Sequence, residues 1–165
     1  VGSEMCIRDS LYAPAAGYLL VLAIHFLLDK AGLFQWIKHA TNAPAEQSIV
    51  SVLRHSSDIP LITVICFSAA IAAPLVEELI FRGYLYPIMK KYMGVWFALI
   101  TTSLLFGIIH VSLVPFIPLA IFGAVLVLLY EYTGSIWTPI IAHCIFNTAT
   151  LINILYPGIL LPYGT

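Results

Sequence analysis

From Ile59 to Met89 the sequence is a long apolar stretch, interrupted by Pro74, Glu77, Glu78 and Arg82 and closed by Lys90 and Lys91. A helix needs about 20 apolar residues to cross the roughly 30 Å hydrocarbon core of a bilayer. At 1.5 Å per residue this stretch would make a helix of roughly 45 Å, so the expectation is a tilted span, kinked near Pro74. Composition points the same way: of 165 residues 61% are hydrophobic and only 9% are charged. A soluble domain typically carries about a quarter charged residues. There is too little polar surface here to coat a water-soluble globule.

Four further apolar runs obey the same logic: Leu11 to Leu28, closed by Asp29 and Lys30, then Gly94 to His110, Val114 to Tyr130 and Ile136 to Leu155. Pro115 and Pro118 are expected near a helix start, where proline is tolerated. Tyr92, Trp96, Tyr130, Tyr132 and Trp137 fall near the span ends, as interfacial aromatic residues do. Between the first two spans, Ala31 to Asp58 mixes Trp36, Lys38, His39, Arg54 and His55 with apolar residues and reads as interfacial. Its segment Glu46 to Arg54 has the pattern of a short amphipathic helix lying on the membrane surface. The expected fold is therefore all-α, a polytopic transmembrane helical bundle of about five spans.

The opening VGSEMCIRDS is polar and unlike the rest of the chain, and is read as a non-native leader over residues 1–10, ahead of which a natural N-terminal part is expected. The first span and interfacial segment then occupy 11–58, the candidate catalytic core 59–156 and a C-terminal tail 157–165. Lys and Arg are nearly balanced between the loops, so the positive-inside rule leaves orientation open. A net charge of −1 gives no basic footprint for nucleic acid. Cys6, Cys66 and Cys144 lack the CxxC spacing of a thiolate metal site and suggest no disulfide framework.

Ionisable side chains inside a span are costly and mark candidate functional sites. Three groups qualify. In VEELIFRG, Glu78 and Arg82 are four apart on one helical face and can offset each other's burial, leaving Glu77 on another face. An unpaired carboxylate in a low-dielectric site is suited to general-base work. In FGIIH, Phe106 and His110 share a face near a span end. In HCIFN, His143 and Asn147 are four apart in the last span, where an imidazole and an amide need partners, a developing oxyanion among them. Each group also has a purely structural reading, as an ion-pair network, an interfacial histidine or interhelical glue. Together they supply an acid, two imidazoles and a carboxamide, a set sufficient for water-mediated acyl hydrolysis.

These residues resemble the pattern EExxxR, FxxxH and HxxxN or HxxxD of the CAAX prenyl protease 2 and bacteriocin-processing (CPBP, or Abi) family of intramembrane proteases. The likeness covers roughly Pro60 to Leu155. It implies an endopeptidase of membrane-associated, prenylated or leader peptides, resident in the cell membrane of a prokaryote, with lipid and a peptide or protein substrate as its partners. By the same resemblance Glu77 with His110 would activate the attacking water, His143 and Asn147 would form the oxyanion hole, and Glu78, Arg82 and Phe106 would support them. The glutamate account needs no metal and no cofactor is assigned, although zinc held by Glu77, His110 and His143 is a chemically reasonable alternative. Two readings from other classes stand beside the enzyme: a non-catalytic immunity or scaffolding protein of the same fold, and a transporter fragment using the same groups as an ion relay.

Overall fold

The computed structural model describes residues 2–41, 48–110 and 113–156, and among them every regular element is helical. Helix α1 spans Gly2–Lys30, α2 Leu33–Thr41 and α3 Ser48–His55. The long apolar stretch forms one continuous helix, α4, over Ile59–Met93. Next come α5 (Val95–Ile109), α6 (Leu113–Thr133) and α7 (Trp137–Leu155). Helices α4, α6 and α7 are each long and apolar enough to cross a membrane, whereas α5, at 15 residues, is shorter. The chain is thus an all-α integral membrane bundle. Three of the expected five spans meet the length and hydropathy of a crossing helix among the described residues.

Several expectations about the elements are refined. Residues 2–10 are continuous with the rest of α1, which runs unbroken from Gly2 to Lys30 through the run expected as the first span. The interfacial segment holds two short helices rather than one, with Ile37 of α2 and Leu53 of α3 buried. The expected amphipathic helix starts at Ser48, and residues 42–47 lie outside those described. Pro118 sits inside α6, beyond its first turn, rather than at the helix start.

The start of α4 is set locally. The side chain of Asp58 accepts from the backbone N–H of Leu61 at 3.1 Å, and Pro60 occupies the first turn, where its missing N–H costs nothing. The helix is not broken at Pro74. It widens into a π-segment over Ser68–Ala72, just ahead of Pro74, and into a second over Leu79–Leu85, just ahead of Pro87. Each adds room where the proline ring would otherwise meet the carbonyl four residues back. Gly94, at φ 81°, then turns the chain into α5, a backbone state a side chain would strain.

Helices α5 and α6 run antiparallel in close contact. A Cβ added at Gly107 would stand 2.9 Å from the Phe116 carbonyl, and one at Gly123 would stand 3.2 Å from the Ser103 Cα. Small residues at these crossings let two backbones approach in lipid, where dispersion replaces the hydrophobic effect as the force holding helices together. Helix α1 packs on α6 and α7, placing Val21 in one core cluster with Phe81, Phe106, Phe122, Val125, Leu126, Leu129 and Ala142. The outer faces are apolar: Val64, Phe67, Leu79 and Ile80 of α4 are exposed, as lipid-facing side chains would be.

Candidate active site

Midway along α4, two adjacent carboxylates meet different surroundings. Glu78 and Arg82 lie one turn apart, and Arg82 Nη1 donates to Glu78 Oε1 at 2.8 Å with both side chains essentially inaccessible. Nη2 of the same guanidinium donates to the Gly123 carbonyl of α6 at 2.8 Å. Its flat face covers the Phe106 ring at 4.9 Å and the Phe81 ring at 5.7 Å, so the cation is held by two anionic or dipolar oxygens and two π-faces. The glycine that lets α6 approach α5 is therefore also the one that presents a carbonyl to Arg82.

Glu78 Oε1 has a second partner on α7, Nδ1 of His143 at 2.9 Å. An ionised carboxylate only accepts, so Nδ1 carries the proton and donates. This fixes the imidazole's orientation as a carboxylate does for a catalytic histidine. The other ring nitrogen, Nε2, stands 3.8 Å from Oε2 of Glu77. That distance is within ion-pair range and too long for a direct hydrogen bond. Glu77 Oε2 is itself buried with no hydrogen-bond partner, although the Glu77 side chain as a whole is 24% exposed. His143 is otherwise enclosed by aromatic edges, with ring centroids 5.6 Å from Phe106 and 5.3 Å from Phe122.

Phe106 is the centre of the arrangement. Besides Arg82 and His143 it touches the ring of His110 at 5.0 Å and meets Phe81 edge-on at 5.4 Å. His110 caps the C-terminus of α5, and its Nδ1 is 2.8 Å from the Phe106 carbonyl one turn back, which leaves Nε2 as the free ring nitrogen. Asn147, one turn beyond His143 on α7, donates from Nδ2 to the Ala69 carbonyl of α4 at 2.8 Å.

The structure thus gathers Glu77, Glu78, Arg82 and His143 into one polar cluster, with His110 joined to it across Phe106 and Asn147 one turn away. Among the described residues no three His, Cys, Asp or Glu side chains are grouped closely enough to hold a metal ion. Of the alternative zinc set, Glu77 faces His143, while His110 is held to its own helix through Nδ1 and packs on Phe106. Participants that escaped the sequence reading include Gly123, Phe122 and the Ala69 carbonyl. The two backbone carbonyls leave no trace in side-chain chemistry, and Phe122 is one phenylalanine among several. An apolar groove of about 530 Å³ between α4 and α7, lined by Ala70, Ile71, Cys144, Ile145, Thr148 and Ala149, flanks the cluster.

Comparison with known proteins finds relatives of the sequence. A protein of Bacillus subtilis (strain 168) named "Putative membrane peptidase YdiL" is 28% identical over 158 residues, a match covering 94% of this chain and 61% of that protein. A second protein of the same organism, "Uncharacterized protein YpbD", is 32% identical over 75 residues, 43% of this chain and 35% of its own. The chain therefore spans less than two thirds of the length of either relative. No solved structure matches it. The family model described as "Type II CAAX prenyl endopeptidase Rce1-like" matches residues 59–149, which hold α4 and every polar residue of the cluster. The chain belongs to the Rce1-like family of type II CAAX prenyl endopeptidases.

Proposed function

We propose that the protein is an intramembrane endopeptidase in which Glu77 activates the water that attacks a peptide bond. The observation that carries this reading is the 3.8 Å separation of Glu77 Oε2 and His143 Nε2, one of them buried without a hydrogen-bond partner. Two polar atoms at that spacing can share one water at ordinary hydrogen-bond distances of about 2.8 Å. Glu77 takes a proton as the water oxygen adds to the scissile carbonyl. The carbonyl oxygen becomes an oxyanion. Collapse of the tetrahedral intermediate expels the amine, which receives the proton from Glu77.

Glu78 and Arg82 do not react in this scheme. They hold His143 with Nε2 directed at the site. In this scheme a proton on Nε2 is given as a hydrogen bond to the oxyanion as it forms, joined by the Asn147 N–H not committed to Ala69. His110 supplies a second imidazole on the far side of Phe106. It could assist the water, as the family resemblance suggests, once substrate fills the site. The flanking apolar groove suits an apolar segment or lipid-like tail of a membrane-associated or prenylated peptide.

The test is cleavage of a panel of prenylated and unprenylated peptides by purified protein in detergent, comparing wild type with Glu77→Ala, each with and without a strong chelator. The reading requires activity that is lost in Glu77→Ala and indifferent to chelator. Chelator inhibition reversed by zinc would replace it with a metal-based mechanism. Folded wild-type protein that cleaves nothing would favour a scaffolding role for the same fold.

A further inference from the structure

Pro74 is fully buried in the interior of α4. In the π-segment before it, the Ala73 N–H reaches five residues back to the Ser68 carbonyl. The same register would send the next N–H, that of residue 74, to the carbonyl of Ala69, and proline has no N–H to send. The donor four residues on from Ala69 is the Ala73 N–H, already given to Ser68. Ala69's carbonyl is thus left without a donor in its own helix, inside a segment that crosses the membrane. An unpaired carbonyl there is costly, and neighbouring helices usually supply the missing partner. Here the partner is Asn147 Nδ2 at 2.8 Å. Because a carbonyl only accepts, the amide must turn its NH2 group toward Ala69, which fixes the side chain's orientation.

The location of this contact gives it a consequence. Asn147 lies one turn beyond His143 on α7, and Ala69 precedes the Glu77–Glu78 pair on α4, so the clamp sits beside the place where the two helices present Nε2 and Oε2 to each other. We propose that Pro74 is a positioning residue for the reaction inferred above. By withholding an N–H from Ala69 it opens a carbonyl that seats Asn147, and through Asn147 it sets how α7 presents His143 to Glu77. This rests on the endopeptidase reading, but the clamp itself can be measured without catalysis.

Four proteins test it: wild type, Pro74→Ala, Asn147→Ala and the double variant, compared in detergent by thermal unfolding and by peptide cleavage. Asn147→Ala in the wild-type background strands a part-buried carbonyl within the membrane span and lowers Tm by about 2–4 °C. In the Pro74→Ala background, where Ala69 regains a backbone donor, the same change lowers Tm by less than about 1 °C. Pro74→Ala alone folds at least as stably as wild type, since alanine is a far better helix former. Its kcat nevertheless falls by roughly 10²-fold, the effect expected of a displacement of about 1 Å at the reacting groups. KM stays within about twofold, and the double variant is no slower than the slower single.

Equal Tm losses in both backgrounds, or kcat losses that multiply, would overturn the proposal. So would a Pro74→Ala protein that is fully active or that does not fold. If wild type cleaves none of the peptides, the endopeptidase reading fails on its own, and the Tm comparison still decides whether Pro74 opens the carbonyl for Asn147.

Discussion

Glu77 and Glu78 are neighbours in sequence with the same side chain, and α4 places them in opposite circumstances. Glu78 is inaccessible and shares one oxygen between a guanidinium at 2.8 Å and an imidazole at 2.9 Å. Glu77 is partly exposed and keeps a buried oxygen 3.8 Å from the same imidazole. One residue of helix spacing separates the two fates: Arg82 falls four residues from Glu78, on the face that meets α6 and α7, and five from Glu77. Glu78 also has one buried oxygen, Oε2, without a hydrogen-bond partner, but its other oxygen is fixed by two charge-assisted hydrogen bonds, whereas Glu77 has neither bond and is partly exposed, as a base must be. The comparison teaches that burial alone does not mark the reactive acid. What sets the proposed base apart is that neither of its oxygens is tied to Arg82 or, by a direct hydrogen bond, to His143.

The difference can be broken from the tethered side. Glu78→Ala leaves Arg82 buried and unpaired and should cost about 3–5 kcal/mol of stability, read as a large fall in Tm, with activity lost alongside it as His143 loses its anchor. Replacing Glu78 and Arg82 together by methionine should restore much of that stability without restoring cleavage, because the stranded charge goes but the anchor does not return.

A smaller effect comes from the scaffold behind Arg82. Gly107→Ala would drive a methyl to 2.9 Å from the Phe116 carbonyl, a backbone atom that cannot swing aside, and should destabilise the α5–α6 pair by about 1–3 kcal/mol. The smallest effect is expected at the far end of α4, where Lys90 bridges Glu131 at 2.7 Å while remaining 41% exposed. Lys90→Ala should change stability by only about 0–1 kcal/mol, less in high salt, and leave cleavage unaltered. A Lys90 effect as large as that of Glu78 would mean that ion pairs in this bundle count alike wherever they lie, and the contrast between the two glutamates would lose its force.

Much of this fold was legible because lipid imposes one strong rule. Apolar runs became helices, and the expected run at Ile59 began where Asp58 and Pro60 supply an N-terminus. The response to Pro74 was not legible. The π-segment before it has no signature in the residues of α4, and the donor that meets the Ala69 carbonyl comes from another helix, Asn147 of α7. The pairing of Glu78 with Arg82 followed from their spacing, but the contact of Glu78 with His143 did not, since it joins residues far apart in the chain. The same holds for Gly123, whose carbonyl receives Arg82. Side-chain chemistry in the sequence pointed to the participants. Backbone acceptors and interhelical contacts, which carry no sequence signature of their own, decided their arrangement.

The most direct test of the division between the two glutamates is Glu77→Gln, an isosteric change that removes the base and no packing, measured for peptide cleavage and thermal unfolding in one detergent preparation. The account predicts a loss of about 10²–10⁴-fold in kcat, the range for a general base, with Tm within about 1 °C of wild type. Cleavage at the wild-type rate, or loss of activity accompanied by a fall in Tm like that of Glu78→Ala, would contradict it.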